Sequence, residues 1–257
     1  MISLRGVGKT YATPRGAVEA VAQVDAAIRP GEFVSLLGPS GCGKSTLLMM
    51  MAGLETPSVG EVALRGQVVR GPSAKNGLIF QDATLLPWKS ALENVLFPVT
   101  LMRKPARDYE ERARALLAQV GLAGFERKRP AELSGGMRQR VAICRALIDD
   151  PDLLLMDEPF SALDAITRDE MNEALVAIWD RAAGAKTAVF VTHSIREAVF
   201  LSDRVLVMTG RPSTIALDLR IPFERPRRAE MQETPEFNAL VRQLKACIAD
   251  GYARVAA

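Results

Sequence analysis

Residues 33–48 constrain the fold of this chain more than any other stretch. Two apolar runs flank a polar, glycine-rich segment made of Gly38, Pro39, Ser40, Gly41, Cys42, Gly43, Lys44, Ser45 and Thr46. This segment fits the pattern G-x-x-x-x-G-K-[ST], which joins a strand to a helix through a phosphate-binding loop. We therefore predict a strand before Gly38 and a helix that begins near Lys44.

The residue types in this loop suit a bound polyphosphate. Glycines let the backbone curl so that successive N–H groups point inward and form a nest for an anion. The helix that follows adds the positive end of its dipole. Lys44 can reach the β- and γ-phosphates, Ser45 can ligate Mg²⁺, and Thr46 is a further phosphate contact. The alternative is a glycine-rich turn with a chance lysine, which the match at every fixed position disfavours.

Length and composition limit the classes of protein to which this loop could belong. The chain has 257 residues, which suits one domain or one domain with a subdomain. Its net charge of +3, from 33 basic and 30 acidic residues, does not imply nucleic acid as a partner. No apolar stretch reaches the ~18 residues needed to span a bilayer, and the first residues lack a signal-peptide pattern. We expect a cytoplasmic protein with reduced, widely spaced cysteines, whose membrane role would come through a partner.

Polar side chains that could carry chemistry follow three apolar runs of strand type. They are Gln81, the adjacent carboxylates Asp157 and Glu158, and His193, the only histidine. In α/β proteins the carboxyl ends of the strands form the edge where ligands bind. We therefore expect these side chains to lie at the ligand-binding edge of a sheet.

Each of these side chains has a chemical role and a plainer alternative. Asp157 suits Mg²⁺, directly or through water, and Glu158 could take a proton from an attacking water. Gln81 could contact a metal or a water, but it could also be an ordinary loop glutamine. The two acids could be solvated helix caps, and a lone histidine is more often structural than catalytic.

Two further stretches could contact a ligand. Tyr11, interpreted as lying in a polar loop, could stack on a base or could cover the end of a strand. Ser134 is a good N-cap for a helix, and the glycines Gly135 and Gly136 would leave N–H groups open to an anion. Simple capping is the alternative for this second stretch.

The remaining pattern predicts helices inserted between strands. Residues 2–7 are interpreted as an edge strand, and residues 82–150 contain no convincing strand. A helix from Ala91 is expected to end before Pro98. Residues 82–89 form an apolar loop in which Trp88 is either a partner surface or part of the helical core. The basic, proline-rich residues 222–228 are interpreted as a linker, and an ordinary solvated loop is the alternative.

The order of these motifs resembles that found in the ATPases of ABC transporters. The resemblance covers residues 2–208 and rests on the phosphate loop and on Gln81, Leu133-Ser-Gly-Gly136, Leu153-Leu-Leu-Met-Asp-Glu158, Ser161-Ala-Leu-Asp164 and Thr192-His193. Residues 80–88 and 211–227 are similar to the nitrate, sulfonate and taurine importer branch of this family. This second similarity is the weaker one.

The resemblance implies an α/β fold with a P-loop NTPase core. Its sheet would be mostly parallel, with an antiparallel β region and an inserted α-helical subdomain. The chain would divide into residues 1–81 and 151–221 for the core, residues 82–150 for the helical subdomain with the signature motif, and residues 222–257 for a C-terminal linker and helix.

The resemblance also implies ATP and Mg²⁺ as the cofactors and assigns roles to the site residues. Tyr11 would stack on adenine, and residues 38–46 would hold the phosphates. Gln81 would sense Mg²⁺ and the attacking water. Glu158 would be the general base, and His193 would contact the γ-phosphate.

Two copies of the chain would pair head-to-tail according to the same resemblance. Ser134, Gly135 and Gly136 would reach the γ-phosphate bound to the opposite subunit, and Asp164 would line the interface. Further partners would be a membrane permease and, indirectly, a periplasmic or extracellular solute-binding protein, with no nucleic acid. The protein would act at the cytoplasmic face of the membrane as the ATPase of an importer for a small anionic solute. The alternatives are a regulatory nucleotide switch, a DNA-repair or translation ATPase, and an exporter ATPase.

Overall fold

The computed structural model describes residues 1–14, 16–161, 163–181 and 186–256. Residue 257, the last of the expected C-terminal segment, lies outside these ranges. The chain forms two compact units, one made of Met1–Ser73 with Trp179–Ala257 and the other of Ala74–Ile178. The expected four-part division along the chain stays a prediction.

Helices and strands alternate along the described chain, which confirms the α/β class. The strands are β1 (Ile2–Thr13), β2 (Gly16–Ile28), β3 (Phe33–Leu37), β4 (Val59–Leu64), β5 (Gln67–Val68), β6 (Asn76–Ile79), β7 (Leu153–Asp157), β8 (Thr187–Thr192), β9 (Arg204–Met208) and β10 (Ile215–Arg220). The α-helices are α1 (Lys44–Ala52), α2 (Ala91–Leu101), α3 (Glu110–Gln119), α4 (Gly135–Leu147), α5 (Ala165–Arg181), α6 (Ile195–Leu201) and α7 (Pro235–Ala256). Short 3₁₀ helices lie at Ala106–Tyr109, Pro130–Glu132 and Ala229–Glu233.

An antiparallel sheet in the first unit has the strand order β2-β1-β4-β5. The prediction of an edge strand at residues 2–7 is wrong, because β1 pairs with β2 on one side and with β4 on the other. The strand also continues to Thr13 through several register shifts. Position in a sheet depends on distant partners, and the local alternation of residues 2–7 carries no information about them.

The first unit also holds the strands that carry the phosphate loop. β3 lies between β8 and β9 and is parallel to both, and β10 is antiparallel to β9. Every residue of β3 and β8 is buried. Strands buried on both faces are largely apolar, as in parallel sheets covered by helices, so such short runs are recognisable in the sequence.

The second unit combines one parallel strand pair, β6 with β7, and the helices α2 to α4 with most of α5. Residues 82–150 contain helices and no strand, as predicted. The prediction that the helix from Ala91 stops before Pro98 is wrong, because α2 continues to Leu101. Val95 and Val99 are fully buried on either side of this proline, so packing outweighs the hydrogen bond that proline removes.

Residues 222–228 are anchored to the first unit by two arginines, which contradicts the solvated-loop alternative, and the linker interpretation stays a prediction. Arg225 donates from Nε to Asp203 Oδ1 over 3.0 Å. Arg227 is buried and donates from Nη2 to the Ser202 carbonyl over 3.1 Å. These contacts connect the segment before α7 to the residues directly before β9.

Within the described part of the chain, none of the helices combines the length and apolarity that crossing a membrane requires.

Candidate active site

The glycine-rich loop joins β3 to α1, which confirms the predicted strand, loop and helix. Gly41 and Gly43 have φ values of 74° and 105°, in the left-handed region that favours glycine. Gly43 is the N-cap of α1, so the first amides of the helix face the loop without a capping side chain from this residue. An anion nest followed by a helix N-terminus is an arrangement that binds phosphate.

Lys44 lies over the loop with only 3% of its surface exposed. Its Nζ donates to the carbonyls of Gly38 and Pro39 over 2.9 and 2.8 Å. Ser45 is exposed and Thr46 half-buried in the first turn of α1. The loop thus offers a cation, hydroxyl groups and backbone amides, the donor set that a polyphosphate needs.

Within the loop, the side chains of Cys42 and Ser40 differ in their exposure to solvent. Cys42 is buried, and its burial raises the pKa of the thiol above its usual range. Ser40 is exposed. Because a buried neutral thiol is a weak nucleophile, Cys42 serves packing in this loop.

His193 follows the strand next to the phosphate loop. Leu37 at the end of β3 pairs with Thr192 at the end of β8, so Gly38 and His193 leave the same end of adjacent parallel strands. The imidazole is exposed. This placement confirms that the single histidine lies at the carboxyl edge of the strands.

A hydrogen-bonded network holds the backbone on both sides of His193. Thr192 Oγ1 donates to Glu197 Oε2 over 2.6 Å and accepts from the Ser194 amide over 2.9 Å. Ser194 Oγ in turn accepts from the Glu197 amide over 3.3 Å. Thr192 and Glu197 are both buried. The pairing of Thr192 with Glu197 is not among the sequence predictions, although Ser194 and Glu197 have the spacing of a capping box.

Gln81, Asp157 and Glu158 come together in the second unit. Ile79 at the end of β6 pairs with Met156 in β7, so the residues that follow leave the same end of two parallel strands. Asp157 is 6% exposed, Glu158 half-buried and Gln81 exposed. Glu158 also has a φ of 42°, a conformation that costs a side-chain-bearing residue energy and recurs at functional sites.

The start of α4 is capped as the sequence predicted. Ser134 Oγ accepts from the Met137 amide over 3.2 Å, and Gly135 and Gly136 form the first turn. An open cavity of about 390 Å³ lies beside this turn, lined by Ser134, Gly135, Gly136, Phe125, Arg140 and Asp164. The capping interpretation is therefore correct for the serine side chain, and it leaves the glycine amides beside the cavity.

Asp164 caps α5 at the edge of the same cavity. Its Oδ1 accepts from the Thr167 amide over 3.0 Å, and this hydrogen bond holds the pKa of the carboxyl below its usual range. Gly136 packs closely against the same region, because a side chain there would approach Leu163 within 3.0 Å. The turn before α5 and the start of α4 thus pack closely against each other.

Tyr11 lies on a strand, and its interpretation as a loop residue is wrong. It pairs with Val18 in the hairpin of β1 and β2, whose turn comes only after Thr13. Lys9 Nζ lies 5.0 Å from the centre of its ring and forms an ion pair with Glu55 at 2.7 Å. The ring is therefore held at the end of a long hairpin by a cation–π contact.

The apolar loop at residues 82–89 is held by the buried Asn94 and the half-buried Arg145. Asn94 accepts from the Leu86 amide over 2.8 Å and donates to the Lys89 carbonyl over 3.1 Å. Arg145 donates to the carbonyls of Ala83 and Thr84, each over 2.9 Å. Trp88, in contrast, is 66% exposed. The core interpretation of Trp88 is thus wrong, and the partner surface stays a prediction.

Comparison with known proteins gives concordant matches. The family model described as ABC transporter matches residues 21–161. The nitrate import ATP-binding protein of Synechococcus elongatus is 46% identical over 91% of this chain and 86% of its own length. The taurine import ATP-binding protein of Pseudomonas syringae is 44% identical over 88% and 85% of the two chains. A dimeric, post-hydrolysis structure of an ATP-binding cassette bound to ADP and Pi has a TM-score of 0.78 and 32% identity, and the match covers 87% of this chain and all of that one.

Proposed function

This chain belongs to the ABC transporter family, and from that membership we propose that it is the ATP-hydrolysing subunit of an importer. The solute would be a small anion of the nitrate, sulfonate or taurine kind, because relatives named for these imports align over most of the chain. A relative named for bicarbonate transport is 42% identical over 93% of the chain. Each of these relatives is named for a small anionic or zwitterionic solute. The ATPase subunit itself does not have to contact that solute.

The register of β3 against β8 is the observation that carries the ATPase proposal. It brings the phosphate loop and His193 to the ends of neighbouring strands. A loop with a buried lysine binds the phosphates of ATP, and an imidazole at that position can contact the terminal phosphate. Tyr11, at the end of its hairpin, would stack on the adenine.

The general base is assigned to Glu158. It follows a buried strand, is partly exposed and is held in a rare backbone conformation. In this assignment its carboxylate takes the proton from the attacking water, while Gln81 orients that water. Phosphoryl transfer requires mostly positioning and charge stabilisation, which these residues and Lys44 supply.

The donor atoms at Ser45, Gln81 and Asp157 fit Mg²⁺, which prefers hard oxygen ligands. Ser45 presents an exposed hydroxyl at the start of α1, and Asp157 presents a carboxylate at the end of a buried strand. We assign these three residues to Mg²⁺, directly or through water. When bound, the ion would neutralise charge on the phosphates.

The active form is a dimer in this proposal, as is the matched cassette structure. Ser134, Gly135 and Gly136 would contact the γ-phosphate held by the other copy, and Asp164 would line the interface. Membrane attachment would come through a permease, at the cytoplasmic face, with a solute-binding protein delivering the solute on the far side. A purely regulatory nucleotide switch is the alternative.

A phosphate-release assay on the purified chain tests the proposal. Wild-type protein with Mg²⁺ and ATP should release phosphate, and Lys44→Ala should not, because it removes the cation over the loop. Wild-type protein that binds ATP without releasing phosphate would favour the regulatory alternative. Co-purification of a permease from the native membrane would identify the transport system.

A further inference from the structure

The end of β9 and the segment that follows it pack closely against the phosphate loop. A side chain at Gly38 would come within 2.7 Å of the Met208 carbonyl, and one at Gly43 within 3.0 Å of Ser213 Oγ. Ser213 is itself buried and donates from Oγ to the Ala20 carbonyl over 3.0 Å. Two of the loop glycines are therefore required for close packing against this segment, in addition to any contact with phosphate.

Arg211 lies in the same segment and reaches the tip of the loop. Its Nε donates to the Gly41 carbonyl over 2.5 Å, across 170 residues of sequence. Its positive charge also opposes the effect of burial on the pKa of Cys42, the next residue along the loop. The side chain is otherwise exposed, so this contact joins a surface arginine to the loop backbone.

A hydrogen bond to the Gly41 carbonyl restricts the orientation of the whole peptide group between Gly41 and Cys42. The peptide that contains this carbonyl is planar, so its orientation also sets the direction of the Cys42 amide. That amide donates to the Pro39 carbonyl over 3.3 Å and closes the turn at the loop tip. Gly41 has φ 74° and lacks a side chain, so its flanking peptides can rotate readily when nothing holds them.

We propose that Arg211 is a positioning residue that holds the phosphate loop in its phosphate-binding conformation and thereby strengthens the binding of ATP. The effect on ATP rests on the proposed function, whereas the effect on the loop backbone does not. Loss of the hydrogen bond lets the loop tip sample other conformations, and ATP must then supply the free energy of ordering it. The guanidinium acts through the loop and needs no contact with ATP.

The experiment compares Arg211→Ala with wild type by hydrogen exchange and by nucleotide binding. Amides in residues 38–43 should exchange about tenfold faster in the variant without nucleotide, since one charge-assisted hydrogen bond is lost. The Kd for Mg-ATP should rise about tenfold, and KM should change more than kcat. Arg211→Lys, which keeps a donor and the charge, should recover part of both effects.

Arg220→Ala is the matched control, because Arg220 is an exposed arginine of the same unit, at the far end of β10. It should leave loop exchange and the Kd for Mg-ATP as in wild type. If the amides of residues 38–43 exchange in Arg211→Ala at the same rate as in wild type, the proposal is overturned. This outcome does not depend on what the protein hydrolyses. Faster exchange in a protein whose wild type neither binds nor hydrolyses ATP would support the loop contact and contradict the proposed function. Should Arg211→Ala fail to fold, the partial effect in Arg211→Lys decides the same question.

Discussion

At the scale of single residues, two residues near strand ends stand out. One has a strained backbone, and the other makes a buried hydrogen bond. Glu158 keeps a left-handed backbone, which costs roughly 1–3 kcal/mol for a residue with a side chain. The Thr192 hydroxyl donates a hydrogen bond to the buried Glu197 carboxylate. Glu158 directly follows β7 and Thr192 ends β8, and both residues lead to predictions.

Glu158→Gln should abolish steady-state turnover and leave ATP binding intact. The amide has nearly the same shape but cannot take a proton, and loss of a general base lowers kcat by at least about 100-fold. If closure of the dimer needs the γ-phosphate, the variant should accumulate as an ATP-bound dimer, measurable by light scattering. Turnover equal to that of wild type would exclude Glu158 as the base.

Thr192→Val should lower kcat more than it changes the KM for ATP. Valine has a similar shape but cannot donate to Glu197 or accept from the Ser194 amide, so the backbone on both sides of His193 loses support. Loss of the buried hydrogen bonds should also reduce stability by about 1–3 kcal/mol, measurable by denaturant unfolding. Thr192→Ser keeps the hydroxyl and should restore kcat. Equal kcat values for the valine and serine variants would show that this network does not position His193.

At the scale of elements, the helices of the second unit shape one exposed loop. α2 supplies Asn94 and α4 supplies Arg145, and together they bind five backbone groups of residues 83–89. α4 also supplies the buried Gln139, whose Nε2 donates to the Phe80 carbonyl over 3.1 Å, directly before Gln81. The helix that begins at Ser134 is therefore bonded to the segment that carries Gln81 and the exposed Trp88.

Trp88→Ala should weaken co-purification with the permease while leaving thermal stability nearly unchanged. The indole is mostly exposed, so its removal should alter the free energy of unfolding by less than about 1 kcal/mol. A large exposed aromatic beside other apolar residues is typical of a binding hot spot. Leu101→Ala, an equally exposed apolar residue at the end of α2, is the control and should leave co-purification unaffected.

The docking prediction fails on either of two results. Normal permease binding by Trp88→Ala would show that the tryptophan is not part of the docking surface. A loss of binding as large in Leu101→Ala would show that general surface hydrophobicity is responsible, and not residues 82–89.

At the scale of the whole molecule, one chain carries both halves of the composite site that we propose. Phosphate-loop residues lie in the first unit, and the capped start of α4 with its cavity lies in the second. A symmetric dimer repeats each half, so two sites can form, each with a loop from one copy and an α4 start from the other. This arrangement can be tested without a structure of the dimer.

Ser134→Arg should block hydrolysis while sparing ATP binding by the isolated chain. The added bulk would occupy the entrance of the cavity beside Gly135 and Gly136, where the partner's γ-phosphate would dock. Mixing this variant with Lys44→Ala chains should restore part of the activity, because the mixed dimer has one site with intact Lys44 and Ser134. Phosphate release by each variant alone and by the mixture is the measurement. Loss of ATP binding by the Ser134→Arg monomer would contradict a role in trans.

Local chemistry by itself determined the phosphate loop, its flanking strand and helix, the buried parallel strands and the helical insertion. These features depend on residues within about ten positions of one another: apolar runs, glycines at fixed spacing and a serine before a helix. They also identified Gln81, Glu158 and His193 as strand-end residues, since the end of an apolar run is visible in the sequence.

Tertiary structure alone decided which strands are neighbours and which polar groups meet. β1 lies inside its sheet because β4 pairs with it from about sixty residues away, and α2 passes through Pro98 because valines beside it are buried. The contact of Arg211 with Gly41 joins positions 170 residues apart, and Arg227 is buried by folding back on Ser202. The free energy of such contacts depends on partners that no local pattern specifies, so they arise only when the chain has folded.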